Sequence, residues 1–157
     1  NRGQAGIDGT IATAVGIALG SGCADEASAP ARERVTAVMG DLTACHDASS
    51  LALAAAARAH LDIVVADDGG GGIFATLEHG RAATPQAYDR WFGVAQAINY
   101  EALAAAYGIG FARAYATSEL ASILRAPVAG PRLIHTPVER AAHLYAQARN
   151  VLCEAGF

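Results

Sequence analysis

Two acidic strand ends, one crossover apart, constrain this chain more than anything else in it. Val38-Met39-Gly40-Asp41-Leu42 and Val64-Val65-Ala66-Asp67-Asp68-Gly69-Gly70-Gly71-Gly72 are apolar, β-branched runs that stop at an acidic residue beside glycine. Such runs predict buried strands that end in loops able to approach a ligand closely. Asp68 follows Asp41 by 27 positions, enough for a strand-helix-strand crossover. If the two strands are parallel neighbours, both carboxylates emerge at the carboxyl edge of the sheet, where open α/β sheets hold ligands. Two carboxylates with glycine carbonyls beside them suit a hard divalent cation that in turn grips phosphate. The competing reading is a pair of unrelated turn aspartates, since Asp is common in turns.

The rest of the chain alternates helix and strand signals. Asp8 is placed to cap a helix over 10–19 that ends at Gly20 and Gly22. Residues 21–32 predict a polar surface loop. Val35–Met39 and Leu61–Ala66 predict strands around a helix from Ala48 to about Ala59, with Asp47 as its cap. The glycine run 69–72 is too crowded for regular structure and predicts a loop folded tightly against a ligand or another backbone. Ile73–Leu77 predicts one or two helical turns, and 80–95, with Trp91 and Phe92, a lid or partner-facing loop. Tyr100–Ala106 predicts a helix stopped at Gly108, and Phe111–Ala116 a strand. Ser118–Leu124 follows as a helix capped by Ser118, then Arg132–Val138 as a strand, and a last helix spans 139–154. Four strands alternating with helices predict an α/β fold, a three-layer α/β/α arrangement with a mainly parallel sheet.

Composition removes several function classes. A hydrophobic fraction of 53% with 17% charged residues excludes a disordered chain. The 157 residues suffice for one domain with its own core. A net charge of −4 argues against a nucleic-acid partner, which needs a basic face. No run reaches the roughly 18 apolar residues of a membrane span. All basic residues are arginines, which excludes lysine Schiff bases and a phosphate-loop lysine. Cys23, Cys45 and Cys153 show neither zinc nor redox spacing and predict free thiols in a reduced cytoplasmic setting. The start at Asn1 predicts a piece of a longer protein. The histidines do not cluster in the sequence, and none is assigned to catalysis.

Gly40-Asp41, the interval of 27, and Asp67-Asp68-Gly69-Gly70 together resemble the thiamin-diphosphate motif. Leu42 stands where that family's Gly-Asp-Gly has its last glycine, and Asp67-Asp68 stands where it has paired asparagines. The resemblance implies a thiamin-diphosphate-binding (diphosphate-type) fold over 1–157. It implies Asp41, Asp68 and the Gly70 carbonyl as ligands of Mg²⁺ or Mn²⁺, with backbone N–H groups around Gly40, Leu42 and Thr43 on the diphosphate. Asn1-Arg2-Gly3-Gln4-Ala5-Gly6-Ile7-Asp8-Gly9, Gly40-Asp41-Leu42-Thr43 with His46-Asp47, and Gly70-Gly71-Gly72-Ile73-Phe74 resemble one branch in particular. That branch is the 2-succinyl-5-enolpyruvyl-6-hydroxy-3-cyclohexene-1-carboxylate synthases of menaquinone biosynthesis.

The branch resemblance implies a transferase that decarboxylates 2-oxoglutarate on the cofactor and joins the remaining succinyl unit to isochorismate. Arg2 would meet a substrate carboxylate, for which a planar, always-charged fork is suited. Ile7 would lie beneath the cofactor rings. Ile73, Phe74 and Leu77 would form an apolar wall beside the reacting carbon, excluding water; their plainer reading is ordinary core. The family builds each site between two domains, and nothing here resembles its pyrimidine-binding domain. The expectation is therefore half a site, inactive alone, within a homodimer or homotetramer. Two alternatives remain: the diphosphate-binding subunit of another thiamin-dependent 2-oxoacid decarboxylase or lyase, and a non-catalytic α/β module.

Overall fold

A computed structural model describes residues 6–21, 34–78 and 82–139. The expectations for Arg2, the 22–32 part of the surface loop and the terminal helix from residue 140 lie outside the described residues. The chain divides into two compact units, Asn1–Asp67 with Ile98–Pro137, and Asp68–Ala97 with Val138–Phe157.

The first unit contains the sheet. Its strands are β1 (Val35–Gly40), β2 (Leu61–Asp67), β3 (Gly110–Arg113) and β4 (Arg132–Pro137). They run in the order β1-β2-β4-β3 with every pair parallel. β2 and β4 occupy the centre, and β2 is buried continuously from Leu61 to Val65, as befits a strand covered on both faces. The strand expected over Phe111–Ala116 is shorter and ends at Arg113, since β4, its only neighbour among the described residues, pairs with it only as far as His135.

Side chains alternate across the sheet. On one face Met39, Leu61, Ile63, Val65 and Leu133 pack against helices α1 (Thr10–Gly20), α3 (Leu51–Ala56) and α5 (Tyr100–Tyr107), which contribute Ile11, Val15, Leu51, Tyr100 and Ala104. The small residues Ala14 and Ala18 of α1 and Ala54 of α3 are buried there, which lets helices sit close to strands. On the opposite face Asp62, Val64, Arg132 and Ile134 are buried, whereas Val38 on the edge strand is 70% exposed.

Several helix boundaries differ from expectation, for one physical reason. A glycine stop acts through its own backbone, and Gly108 (φ 65) ends α5 as expected. A side-chain cap needs a partner in space. Asp8 does not cap α1: Gly9, in the left-handed region at φ 64, holds that position without a side-chain bond. The first-turn amides of Ile11 and Ala12 instead donate to Asp47 Oδ2 at 2.6 and 3.2 Å. Asp47 consequently does not cap the helix that follows it, although Ser50 Oγ donates to its other oxygen at 2.6 Å. The helix expected over 48–59 is a 3₁₀ turn at 48–50 followed by α3, which ends at Ala56, and an unexpected short helix, α2 (Asp41–His46), precedes it directly after β1. Ser118 lies inside the first turn of α6 (Thr117–Arg125) and caps nothing. Glu119 reaches back there, accepting the Tyr115 N–H at 2.7 Å.

The second unit holds the glycine run, a 3₁₀ helix over Gly72–Thr76, the single-turn α4 (Pro85–Tyr88) and a π-helical turn over Asp89–Gly93. The helical turns expected at 73–77 are present, and the stretch expected as a loop at 80–95 carries helical turns of its own.

Candidate cofactor-binding site

The carboxyl edge of the first unit begins at Gly40. Its backbone is extended (φ −79, ψ 168), a conformation open to any residue. Among the described residues no heavy atom lies within 4 Å of where its Cβ would be. Neither strain nor crowding explains this glycine, and a close approach to its backbone is open. Asp41 follows as the first residue of α2 and is only 2% exposed. Its Oδ1 accepts the Leu42 N–H at 2.8 Å. Leu42 and Thr43 are half-buried in the same short helix. Because Gly40 pairs with Ala66, Asp41 leaves the sheet at the edge where β2 ends.

β2 ends in Asp67, one residue later than expected, and its carboxylate is engaged. His135 Nε2 lies 2.8 Å from Asp67 Oδ2, and Arg113 Nε donates to His135 Nδ1 at 3.3 Å. A nitrogen that accepts from arginine carries no proton, so the neutral ring holds its proton on Nε2 and donates it to Asp67. The Tyr100 ring lies 4.6 Å from the His135 ring, tilted by 37°. Tyr100 is 1% exposed, and among the described residues its hydroxyl and that of Thr136 have no hydrogen-bond partner. Burial, then the charges of Asp67, Asp41 and Cys45, push the Tyr100 phenol well above its ordinary 10.0. Sequence reasoning missed Tyr100 and His135. Tyr100 lies 35 positions from the His135 ring it meets, and His135 lies 68 from Asp67, separations that carry no local signal.

The second unit takes up the chain at Asp68, which is half-buried. Gly69 (φ 77) and Gly70 (φ 133) adopt backbones that favour glycine. Gly71 N–H donates to the Gly93 carbonyl at 2.7 Å, and a Cβ there would collide with the Phe92 carbonyl oxygen and the Phe74 ring. Tyr88 Oη donates to the Gly71 and Gly72 carbonyls at 2.8 and 3.3 Å. The run folds tightly against another backbone, one of the two expected alternatives. Ile73, Phe74 and Leu77 are 64%, 36% and 42% exposed, so they are not buried in the core of this chain. They are an apolar surface, with Phe92 6.4 Å from Phe74 ring to ring. Ile7, in the first unit, is likewise exposed at 43%.

Among the described residues no group of three or more His, Cys, Asp and Glu side chains is placed to hold a metal ion. The expected set does not call for one, since it uses two carboxylates and a main-chain carbonyl. The buried Asp41 carboxylate, the open space at Gly40 and the unpartnered Tyr100 hydroxyl fit an edge completed by a ligand with oxygen-bound cation and anionic groups.

The family described as thiamine pyrophosphate enzyme, C-terminal TPP binding domain, matches residues 2–136. The chain is 44% identical over 145 residues to the 2-succinyl-5-enolpyruvyl-6-hydroxy-3-cyclohexene-1-carboxylate synthase of Paenarthrobacter aurescens, covering 89% of this chain and 24% of that protein. The protein of the same name from Renibacterium salmoninarum is 42% identical, covering 90% of this chain and 25% of its own length. That from Rhodococcus erythropolis is 40% identical, with 95% and 27% covered. The chain thus spans about a quarter of the length of the curated relatives it matches. With most of its residues matched by that description, the chain belongs to the family of C-terminal, thiamine-pyrophosphate-binding domains of thiamine pyrophosphate enzymes.

Proposed function

We propose that this chain is the diphosphate-binding part of a 2-succinyl-5-enolpyruvyl-6-hydroxy-3-cyclohexene-1-carboxylate synthase in menaquinone biosynthesis. The observation that carries the reading is the 44% identity over 89% of the chain to an enzyme of that name. The reaction would consume 2-oxoglutarate and isochorismate, release carbon dioxide and join the succinyl unit to the ring. Thiamin diphosphate, when bound, supplies the electron sink for decarboxylation.

This chain's residues hold and shield. Asp41, Asp68 and the Gly70 carbonyl would ligate Mg²⁺ or Mn²⁺; Asp68 and Gly70 enter this set on the sequence motif. An aspartate at position 68 adds charge that favours a divalent ion. Gly40, Leu42 and Thr43 would offer backbone N–H groups to the diphosphate, and the open space at Gly40 supports that role. Ile7 would bear on the cofactor rings. Ile73, Phe74 and Leu77 would exclude water from the reacting carbon, a role their exposure in this chain supports. Arg2 would pair with a substrate carboxylate.

The whole of 1–157 acts in this reading as one diphosphate-binding domain. It works with a pyrimidine-binding domain of the same or another chain, in a cytoplasmic homodimer or homotetramer. No described helix is long and apolar enough to cross a membrane. Residues 1–157 alone are expected to show no turnover, and steady-state activity of that isolated piece would contradict the half-site reading. The decisive assay uses the full-length enzyme with 2-oxoglutarate plus isochorismate, against pyruvate or sulfopyruvate. Turnover of the first pair supports the proposal. Preference for pyruvate would move the chain to another thiamin-dependent decarboxylase or lyase, and failure to bind the cofactor would leave a non-catalytic module.

A further inference from the structure

We propose that His135 is a positioning residue for the metal and cofactor loop, acting through Asp67; this rests on the cofactor-binding reading above. Asp67 and Asp68 are consecutive carboxylates at the point where β2 leaves the sheet, and only one is expected at the cation. Two adjacent acidic side chains could compete for the ion. His135 resolves the competition by taking Asp67, with Nε2 2.8 Å from its Oδ2. The ring is fixed on three sides. β4 carries it beside β2, paired with Val65, two register pairs before the Asp67–Pro137 match at the strand ends. Arg113 of β3, its register partner, donates to Nδ1 at 3.3 Å and so selects the tautomer with the proton on Nε2. Tyr100 lies against the ring face at 4.6 Å.

The arrangement differs from a packing contact. The His135 and Asp67 side chains keep 12% and 21% of their surface exposed, so water could solvate either one. What the bond provides is direction: it ties the last residue of β2 to the sheet and commits that carboxylate. Asp68, the next residue, then supplies the acidic oxygen for the cation.

The test uses the full-length enzyme and calorimetry of thiamin diphosphate binding with Mg²⁺, alongside thermal melting without cofactor. His135→Phe keeps a ring against Tyr100 and removes the donor. It is expected to weaken Mg²⁺-dependent cofactor binding by about tenfold, as loss of groups that orient metal ligands does, with little change in melting. His135→Gln carries an amide N–H to the Nε2 position and is expected to recover most of the affinity. Arg113→Met changes an exposed side chain, leaves the fold intact and is expected to weaken binding in the same direction, by less. Cofactor affinity unchanged in both His135→Phe and Arg113→Met overturns the inference. Equal losses in His135→Phe and His135→Gln, each with a lowered melting temperature, also overturn it, in favour of packing. If His135→Phe cannot be obtained folded, unchanged affinity in Arg113→Met overturns the inference by itself. Absence of binding by the unmodified enzyme brings down the cofactor reading and this inference together.

Discussion

The central strands β2 and β4 carry an acid–base pair at each end, and the two pairs are built differently. At the amino end Asp62 and Arg132 are register partners, and Arg34 joins them from the residue before β1. Asp62 receives four hydrogen bonds: Arg34 Nε and Nη2 at 2.7 and 2.8 Å, and Arg132 Nε and Nη2 at 2.8 and 3.0 Å. The guanidinium groups spend further N–H groups on the carbonyls of Leu61, Ile123 and Val128. Asp62 is 1% exposed, and this end is closed. At the carboxyl end a neutral histidine makes one bond to Asp67, the partners stay partly wet, and two buried hydroxyls lack partners among the described residues. One end of the sheet is saturated by the chain itself; the other keeps unspent hydrogen-bonding capacity, at the edge where we propose that the cofactor binds.

Variants can break this contrast. The largest expected effect is on binding at the carboxyl end: Asp41→Ala in the full-length enzyme is expected to weaken metal-dependent cofactor binding by about 100-fold or more. Unchanged affinity by calorimetry would refute its assignment as a ligand. Next comes stability at the amino end. Asp62→Asn leaves the buried Arg132 and the half-buried Arg34 without their counter-charge, a loss of about 3–5 kcal/mol. It is read as faster hydrogen exchange of the β2 and β4 amides; an unaltered exchange pattern would show that the closed end is not the anchor.

The same residue sets an acid limit. Burial raises the Asp62 pKa, but the hydrogen bonds and charges of Arg34 and Arg132 outweigh it and hold the carboxyl below its ordinary 3.8. A depressed folded pKa means the stabilisation is fully present above 3.8 and is lost as pH falls through the lower folded value. Asp62→Asn is expected to remove that acid limb from the stability profile, and an acid limb of equal steepness would assign it to other groups. Smaller still is Asp47→Ala, which removes the distant cap of α1 at about 1 kcal/mol, visible in exchange of the Ile11 and Ala12 amides. The smallest effect is Tyr100→Phe, no more than about 1 kcal/mol near neutral pH because the lost hydroxyl has no partner among the described residues. Its raised folded pKa makes stability fall as pH rises above 10.0; the variant is expected to flatten that alkaline limb, checked by melting temperatures across the range.

These contrasts also mark what the amino-acid order can reveal. The strands at Val35 and Leu61 and the helix stop at Gly108 are legible because each depends on residues within a few positions. The acidic strand ends are legible because Asp41 follows β1 and Asp67 closes β2, two apolar runs one crossover apart. The tight glycine loop is legible too, since Gly69 and Gly70 occupy backbone space that other residues avoid. What stayed hidden is long-range pairing. Asp47 serves a helix 36 residues before it, and His135 meets a carboxylate 68 residues away. Arginine and aspartate at Arg34, Asp62 and Arg132 have no periodicity that distinguishes a buried clamp from solvated charges. The exposure of Ile73 and Leu77 could not be read either, because an apolar run looks the same whether it meets a core or a ligand.

The borrowed cap of α1 has a consequence for the order in which the chain acquires structure. Asp47 lies 36 residues downstream of the amide it satisfies. During synthesis at about 5–20 residues per second, that carboxylate arrives about 2–7 s after the helix it serves. For that interval the helix must persist on an uncapped first turn, and an isolated helix of its length is marginal in water. Lasting order in α1 therefore waits for β1 and α2, and this helix settles only after the two elements that follow it among the described residues.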